Sequence, residues 1–275
     1  MKRSQIILIA IGVIAVGGLY ALPSVVVDNE SKADGVSQEN PPASTSSTDP
    51  VAMHETELSP DQRVQINTLK LQIAENSSKE KLKSSTEELA AIYQELGKYD
   101  SAGYYLSLAA DQQSNMELAE KAGNAYYEAF SFALDPEKVN STAEQTRKYL
   151  TMVLDNDPTR LDLKTKVAMT YVSSSNPMQG ITMLREILEQ DPQNEDGLFN
   201  MGVLSMQSGQ YKRAIERFEE LIQYHPDNLQ GQFYLGVSYF EAKQNNKAKA
   251  HFEKVKTMTE DEMILGSIEG YLEKL

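Results

Sequence analysis

An all-α fold, a solenoid of stacked helix pairs, is predicted by three observations. Pro158, Pro192 and Pro226 stand 34 residues apart. Around them a pattern returns with the same shift: Met201-Gly202 as Leu235-Gly236, Ala214 as Ala248, and Phe218 as Phe252. Tyr171, Ser205 and Tyr239 share one register, and Leu184, Phe218 and Phe252 share another. A helix pair of this length cannot bury its own apolar stripe, whereas neighbours stacked in a row bury one continuous core.

Taken in order, the chain opens with residues 1–27, read as an N-terminal transmembrane signal-anchor. Ile6 to Val27 is a run of 22 residues without a charged side chain, against roughly 20 needed for a membrane-crossing helix. Lys2 and Arg3 precede it and Asp28 and Glu30 follow. The positive-inside rule then puts the N-terminus in the cytoplasm and the remainder across the membrane, which in a bacterium is the periplasm. The alternative is a cleaved signal peptide and a soluble periplasmic protein, although Gly18-Leu19-Tyr20-Ala21 is a poor cleavage site. Residues 28–58 read as a disordered linker, rich in Ser, Thr, Pro, Asn, Asp and Glu.

Residues 59–275 form the expected solenoid domain. Ser59-Pro60-Asp61-Gln62 is a capping-box start. A second helix from about Ser77 to Leu96 is stopped by Gly97, and Ala102, Leu106 and Ala109 begin the repeat's spacing. The next unit carries Ala122-Gly123 and Tyr126. Gly202 precedes Pro226 by 24 residues but Gly123 precedes Pro158 by 35, so 11 residues are inserted. They are placed between Phe130 and Ala143, as an extended helix with a loop around Asp135-Pro136 and Asn140-Ser141-Thr142. Three regular units follow, Leu161–Asn194, Glu195–Asn228 and Leu229–Glu262, the first with Val167-Ala168 and Gly180 where the others have Gly and Ala. Ile264, Ile268, Tyr271, Leu272 and Leu275 suit one amphipathic capping helix.

A 34-residue period with Leu-Gly, Tyr, Ala-x-x-x-Phe and Pro in that order resembles the tetratricopeptide repeat (TPR). The resemblance covers about residues 83–275 and implies about five repeats with flanking helices. It also implies that the first helix of each pair lines a concave groove in which protein segments bind. Beside the packing face of Leu235, Gly236 and Tyr239, the groove residues are then Phe199, Val203 and Met206, then Phe233, Val237 and Phe240. Thr165, Met169 and Val172 come from the preceding unit. Glu87, Ala91, Glu95, Glu120, Asn124, Tyr127 and Glu128 come from the first two. The groove is expected to be apolar toward the C-terminus and acidic toward the N-terminus. It suits a helical or extended apolar segment. With Asn124 but no Lys on that face, a clamp for a C-terminal carboxylate is not expected.

Little in the chain points to chemistry. The net charge is −14, which argues against nucleic acid because phosphate contacts need clustered Lys and Arg. There is no Cys, hence no disulfide or thiolate metal site. His54, His225 and His251 never fall at i,i+3 or i,i+4. Ser78-x-x-Lys81 lacks companion motifs. Expected, therefore, are no enzyme activity, no cofactor, no metal and no small-molecule substrate. The expected protein is a membrane-anchored adaptor binding protein segments, active in assembly or folding of envelope proteins. The alternatives are a structural subunit docking side-on to a membrane complex and a cytochrome c maturation-type TPR factor.

Overall fold

The computed structural model describes residues 58–75 and 78–275, which are helical throughout with short connections and no strand. Helix α1 (Pro60–Ala74) starts on the expected capping box: Gln62 N–H donates to Ser59 Oγ at 3.2 Å, and Ser59 N–H donates to Gln62 Oε1 at 3.0 Å. Five helix pairs follow: α2 (Lys79–Glu95) with α3 (Tyr99–Gln113), α4 (Met116–Phe132) with α5 (Pro136–Asn156), α6 (Leu161–Val172) with α7 (Pro177–Gln190), α8 (Glu195–Gln207) with α9 (Tyr211–Tyr224), and α10 (Leu229–Glu241) with α11 (Asn245–Lys256). A last helix, α12 (Glu262–Leu272), closes the row. Ser78 of the Ser-x-x-Lys is the N-cap of α2, accepting the Lys81 N–H.

The prolines set the joints. Asp157, Asp191 and His225, each just before a repeat proline, take nearly the same backbone angles, with φ of −138°, −136° and −126° and ψ of 88°, 92° and 69°. A residue before proline is pushed out of the α region, so the second helix of each pair stops at the same place. The first helices of successive pairs touch, α4 with α6, α6 with α8 and α8 with α10, and so build one inner layer.

The inserted residues do not form a second loop. Helix α5 has 21 residues against 14 in α7 and α9, and α4 has 17 against 13 in α8 and α10. Those excesses of seven and four account for all eleven. Asn140-Ser141-Thr142 lies inside α5, because Asp135 caps the helix through Lys138 N–H at 2.9 Å and Pro136 sits at its first turn.

Small residues set the helix spacing. A Cβ on Gly202 would lie 2.7 Å from the Phe218 ring, and one on Gly236 2.8 Å from Phe252, both rings being fully buried. In the irregular unit, a Cβ on Gly180 would lie 2.3 Å from the backbone oxygen of Ala168. The main chains of α6 and α7 therefore meet closely there, where Ala214 and Ala248 leave room for a buried methyl in the later units.

Helix α12 caps the array through Tyr271. Its ring stacks on Phe252 at 5.1 Å and meets Phe233 at 6.2 Å and Phe240 at 5.2 Å edge-on. This corrects the apolar groove expected at the C-terminal end. Phe233 and Val237 are 5% and 2% exposed, and Phe240 is covered by Tyr271. Phe233 and Val237 are core and Phe240 is half-buried, because the capping helix occupies the place that a further first helix would fill.

The expected localisation is also corrected. Among the described residues no helix is long and apolar enough to cross a membrane. The longest, α5, carries Glu137, Lys138, Glu144, Arg147, Lys148 and Asp155, which a hydrocarbon core would not accept. The anchor expected over 6–27 and the linker expected over 28–58, apart from Leu58, lie outside the described residues.

Candidate functional site

At the centre of the inner layer α6 lies between α4 and α8. Lys166 on α6 donates from Nζ to Asn124 Oδ1 of α4 at 2.5 Å and stands 5.7 Å from the centroid of the Tyr127 ring. At the entrance of α6, the Arg160 guanidinium holds Glu120 of α4 by bonds of 3.1 and 2.7 Å and Asp162 by bonds of 2.9 and 2.8 Å. Arg160 thus ties the entrance of α6 to α4, and its bonds hold the Asp162 carboxyl below its usual range.

Two carboxyl groups at this centre lack such a partner. Burial pushes the Glu128 carboxyl up, and burial followed by the neighbouring Glu195 charge pushes Asp196 up; Lys166 opposes both shifts. Burial, then the charges of Asp196 and Glu128, lifts the Tyr127 phenol to about 12. Tyr127 and Glu128 on α4 are half-buried and Asp196 on α8 is exposed, and the three stand close enough for their charges to act on one another, with Lys166 the cation that opposes both carboxyl shifts.

Toward the N-terminus the same face is neutralised. Lys83 Nζ meets Glu117 Oε2 at 2.5 Å, and Lys121 bonds both Glu87 and Glu117, the latter at 2.8 Å. The acidic N-terminal groove read from the sequence is thus a ladder of ion pairs between α2 and α4. The unbalanced acid sits further along, at Glu128 and Asp196.

The expected groove residues divide. Asn124 and Tyr127 belong to the centre. Val203 and Met206 are half-buried on the same side of α8 as Asp196. Met169 packs beside the buried Ala168, Leu184 and Ile187, and Phe199 meets Phe218 and Tyr234 edge-on, so both are partly core. Phe233 and Val237 are buried and do not reach the groove, and Phe240 is half-buried against Tyr271. Glu128, also expected, stands with Asn124 and Tyr127 at the centre, and Lys166 and Asp196 complete it. Asp162 and Asp196 are 34 apart, and Lys166 shares a register with Asn200 and Tyr234, so the period itself placed a Lys one position round the helix from the face read as Thr165, Met169 and Val172.

Residues 154–252 match the family described as surface lipoprotein assembly modifier, N-terminal TPR repeats. Among solved structures, a tetratricopeptide repeat protein from Parabacteroides merdae is 19% identical over 76% of this chain and 84% of that one, with a TM-score of 0.53. MamA from Desulfovibrio magneticus is 15% identical over 66% of this chain and 96% of its own, with a TM-score of 0.48. YrrB, described as a TPR protein with an unusual peptide-binding site, is 16% identical over 74% and 99%, with a TM-score of 0.44. At these identities the likeness concerns the fold alone. No curated protein matches the chain. The 34-residue period, the stacked helix pairs and the matched repeats lead to one assignment: the chain is a tetratricopeptide-repeat protein.

Proposed function

We propose that this protein is a non-catalytic scaffold that binds segments of protein partners along the inner layer, in the assembly or folding of envelope proteins. The observation that carries the reading is the acidic centre at α4, α6 and α8, where Glu128 and Asp196 stand near Tyr127 and Lys166. Glu128 is half-buried and Asp196 exposed there, both carboxyl groups are raised, and Lys166 is the cation that offsets them. A cationic side chain of a bound segment would offset them further. Val203 and Met206 beside Asp196 offer an adaptable apolar surface for its neighbours in sequence. The segment favoured is therefore amphipathic, with a basic residue next to apolar ones, rather than wholly apolar. The likeness of residues 154–252 to repeats of a lipoprotein assembly modifier supports clients that are themselves under assembly.

The test is a photo-crosslinking residue at Val203 in the full-length chain, irradiated in the cells that make it, with adducts identified by mass spectrometry. A discrete partner that disappears when the crosslinker is moved to the exposed Lys249 is expected. Crosslinks confined to the chain, or the same adducts from both positions, would overturn the reading.

A further inference from the structure

Helix α8 has a second partly exposed side. Met201, Leu204, Ser205 and Ser208 lie on the face opposite Asp196, Val203 and Met206. They form the floor of a cleft of about 370 Å³ walled by α7 and α9. That size is within the roughly 300–1,000 Å³ of ligand-holding pockets. Ile181, Met201 and Leu204 give it an apolar part, and Arg185, Arg213 and Arg217 stand around it.

The arginines are the informative part. The chain has seven arginines in 275 residues and a net charge of −14, yet three of the seven border this one cleft. Arg213 and Arg217 are one turn apart on α9, a like-charge spacing that costs a helix a few tenths of a kcal/mol. Arg185 joins them from α7 only because the pairs stack. Internal partners do not explain the grouping. Arg217 Nη1 donates to Glu220 Oε2 at 2.8 Å and Arg213 Nη1 to Gln210 Oε1 at 2.5 Å. Arg185 makes no hydrogen bond or ion pair among the described residues. Each guanidinium has five donors in a fork suited to carboxylates, so most of this capacity is unused. Glu216 is the one carboxylate in the lining.

We propose that this outer cleft is a second protein-binding site, taking a partner segment in which carboxylate side chains flank an apolar one. The apolar residue enters between Ile181, Met201 and Leu204, and the carboxylates lie against Arg185 and Arg213. The wide acidity elsewhere on the chain repels such a segment, so it is directed to this cleft. That the ligand is a protein rests on the scaffold reading; the site itself rests on the arginines and the cleft.

The test is fluorescence anisotropy of the full-length protein with a fluorescein-labelled peptide of sequence Asp-Glu-Leu-Glu-Glu-Leu-Asp. Saturable binding is expected, weakening as salt is added. It should fall about tenfold or more in the double variant Arg185→Glu, Arg213→Glu. Both side chains are exposed, and circular dichroism checks that the helices remain. The peptide with Gln and Asn in place of its acidic residues should not bind. No saturable binding, or equal affinity in the double variant, would overturn the proposal. Binding lost instead in Lys166→Glu would place the acidic ligand in the inner groove and also overturn it. Crosslinking from Val203 reads the inner groove separately, so either site can fail while the other stands.

Discussion

Lys166 reaches from α6 to Asn124 on α4, 2.5 Å between Nζ and Oδ1, and is the cation that offsets both Glu128 and Asp196. Both carboxyl groups are raised in the fold, so the folded chain holds their protons more tightly than the unfolded chain. Their contribution to stability therefore improves as pH falls through their folded pKa values toward the unfolded ones. Lys166→Met should raise both pKa values further, as read by carboxyl carbon NMR titration. Glu128→Gln should make the protein more stable at pH 7, as read by urea denaturation. A Glu128→Gln variant that is less stable at neutral pH would contradict the unbalanced acidic centre.

Glu117 behaves in the opposite sense. Its bonds to Lys121 and then Lys83 lower its carboxyl to about 2 from the ordinary 4.5. A lowered carboxyl stabilises the fold above its unfolded pKa and loses that contribution as pH falls through the folded value. Between pH about 4.5 and about 2 the native chain should therefore lose stability that Glu117→Gln does not lose. The side chain is exposed, so added salt should shrink the difference. Denaturation midpoints of both proteins across that range measure it.

The array was legible because its causes are local and periodic. Pro158, Pro192 and Pro226 end helices by their own geometry, and Gly202 and Gly236 sit under Phe218 and Phe252 as the repeat requires. The eleven inserted residues can be counted and an extended helix expected of them, although not that α4 and α5 would share them and leave Asn140-Ser141-Thr142 helical. The groove was less legible because a side chain's exposure depends on what the next element covers. Nothing at Phe233 itself says that Tyr271 lies across it. Lys166 is not legible as a groove residue for a related reason: whether a position one step round the helix faces the groove is decided by how α4, α6 and α8 are rotated in the stack.

Gly180 tests how tightly the irregular unit is packed. A methyl there would meet Ala168 O at 2.3 Å and the Val172 backbone nitrogen at 2.8 Å. Backbone cannot swing aside as a side chain can, so α6 and α7 would have to separate. Gly180→Ala should destabilise the protein by about 1–3 kcal/mol through overpacking, despite alanine's better helix propensity. Gly266→Ala, where no atom lies within 4 Å, should stabilise by up to about 1 kcal/mol. Thermal denaturation of the two variants gives the comparison, and equal shifts would refute the close approach.

Phe233 decides between groove and core at the C-terminal end. An exposed groove aromatic tolerates Asp with the fold intact. A side chain 5% exposed and enclosed by Phe252 and Tyr271 does not, because the carboxylate would be buried without a partner. Phe233→Asp should therefore cost about 3–5 kcal/mol. In a repeat array the loss should fall first on α10 to α12, since each unit is held by its neighbours. Tyr271→Ala should loosen the same three helices by removing the ring that covers Phe252, Phe233 and Phe240, at a cost of about 2–4 kcal/mol. Amide hydrogen exchange by mass spectrometry resolves this by segment. Faster exchange in α10 to α12 with α4 to α8 unchanged is expected of both variants, whereas a native pattern in Phe233→Asp would return Phe233 to the groove.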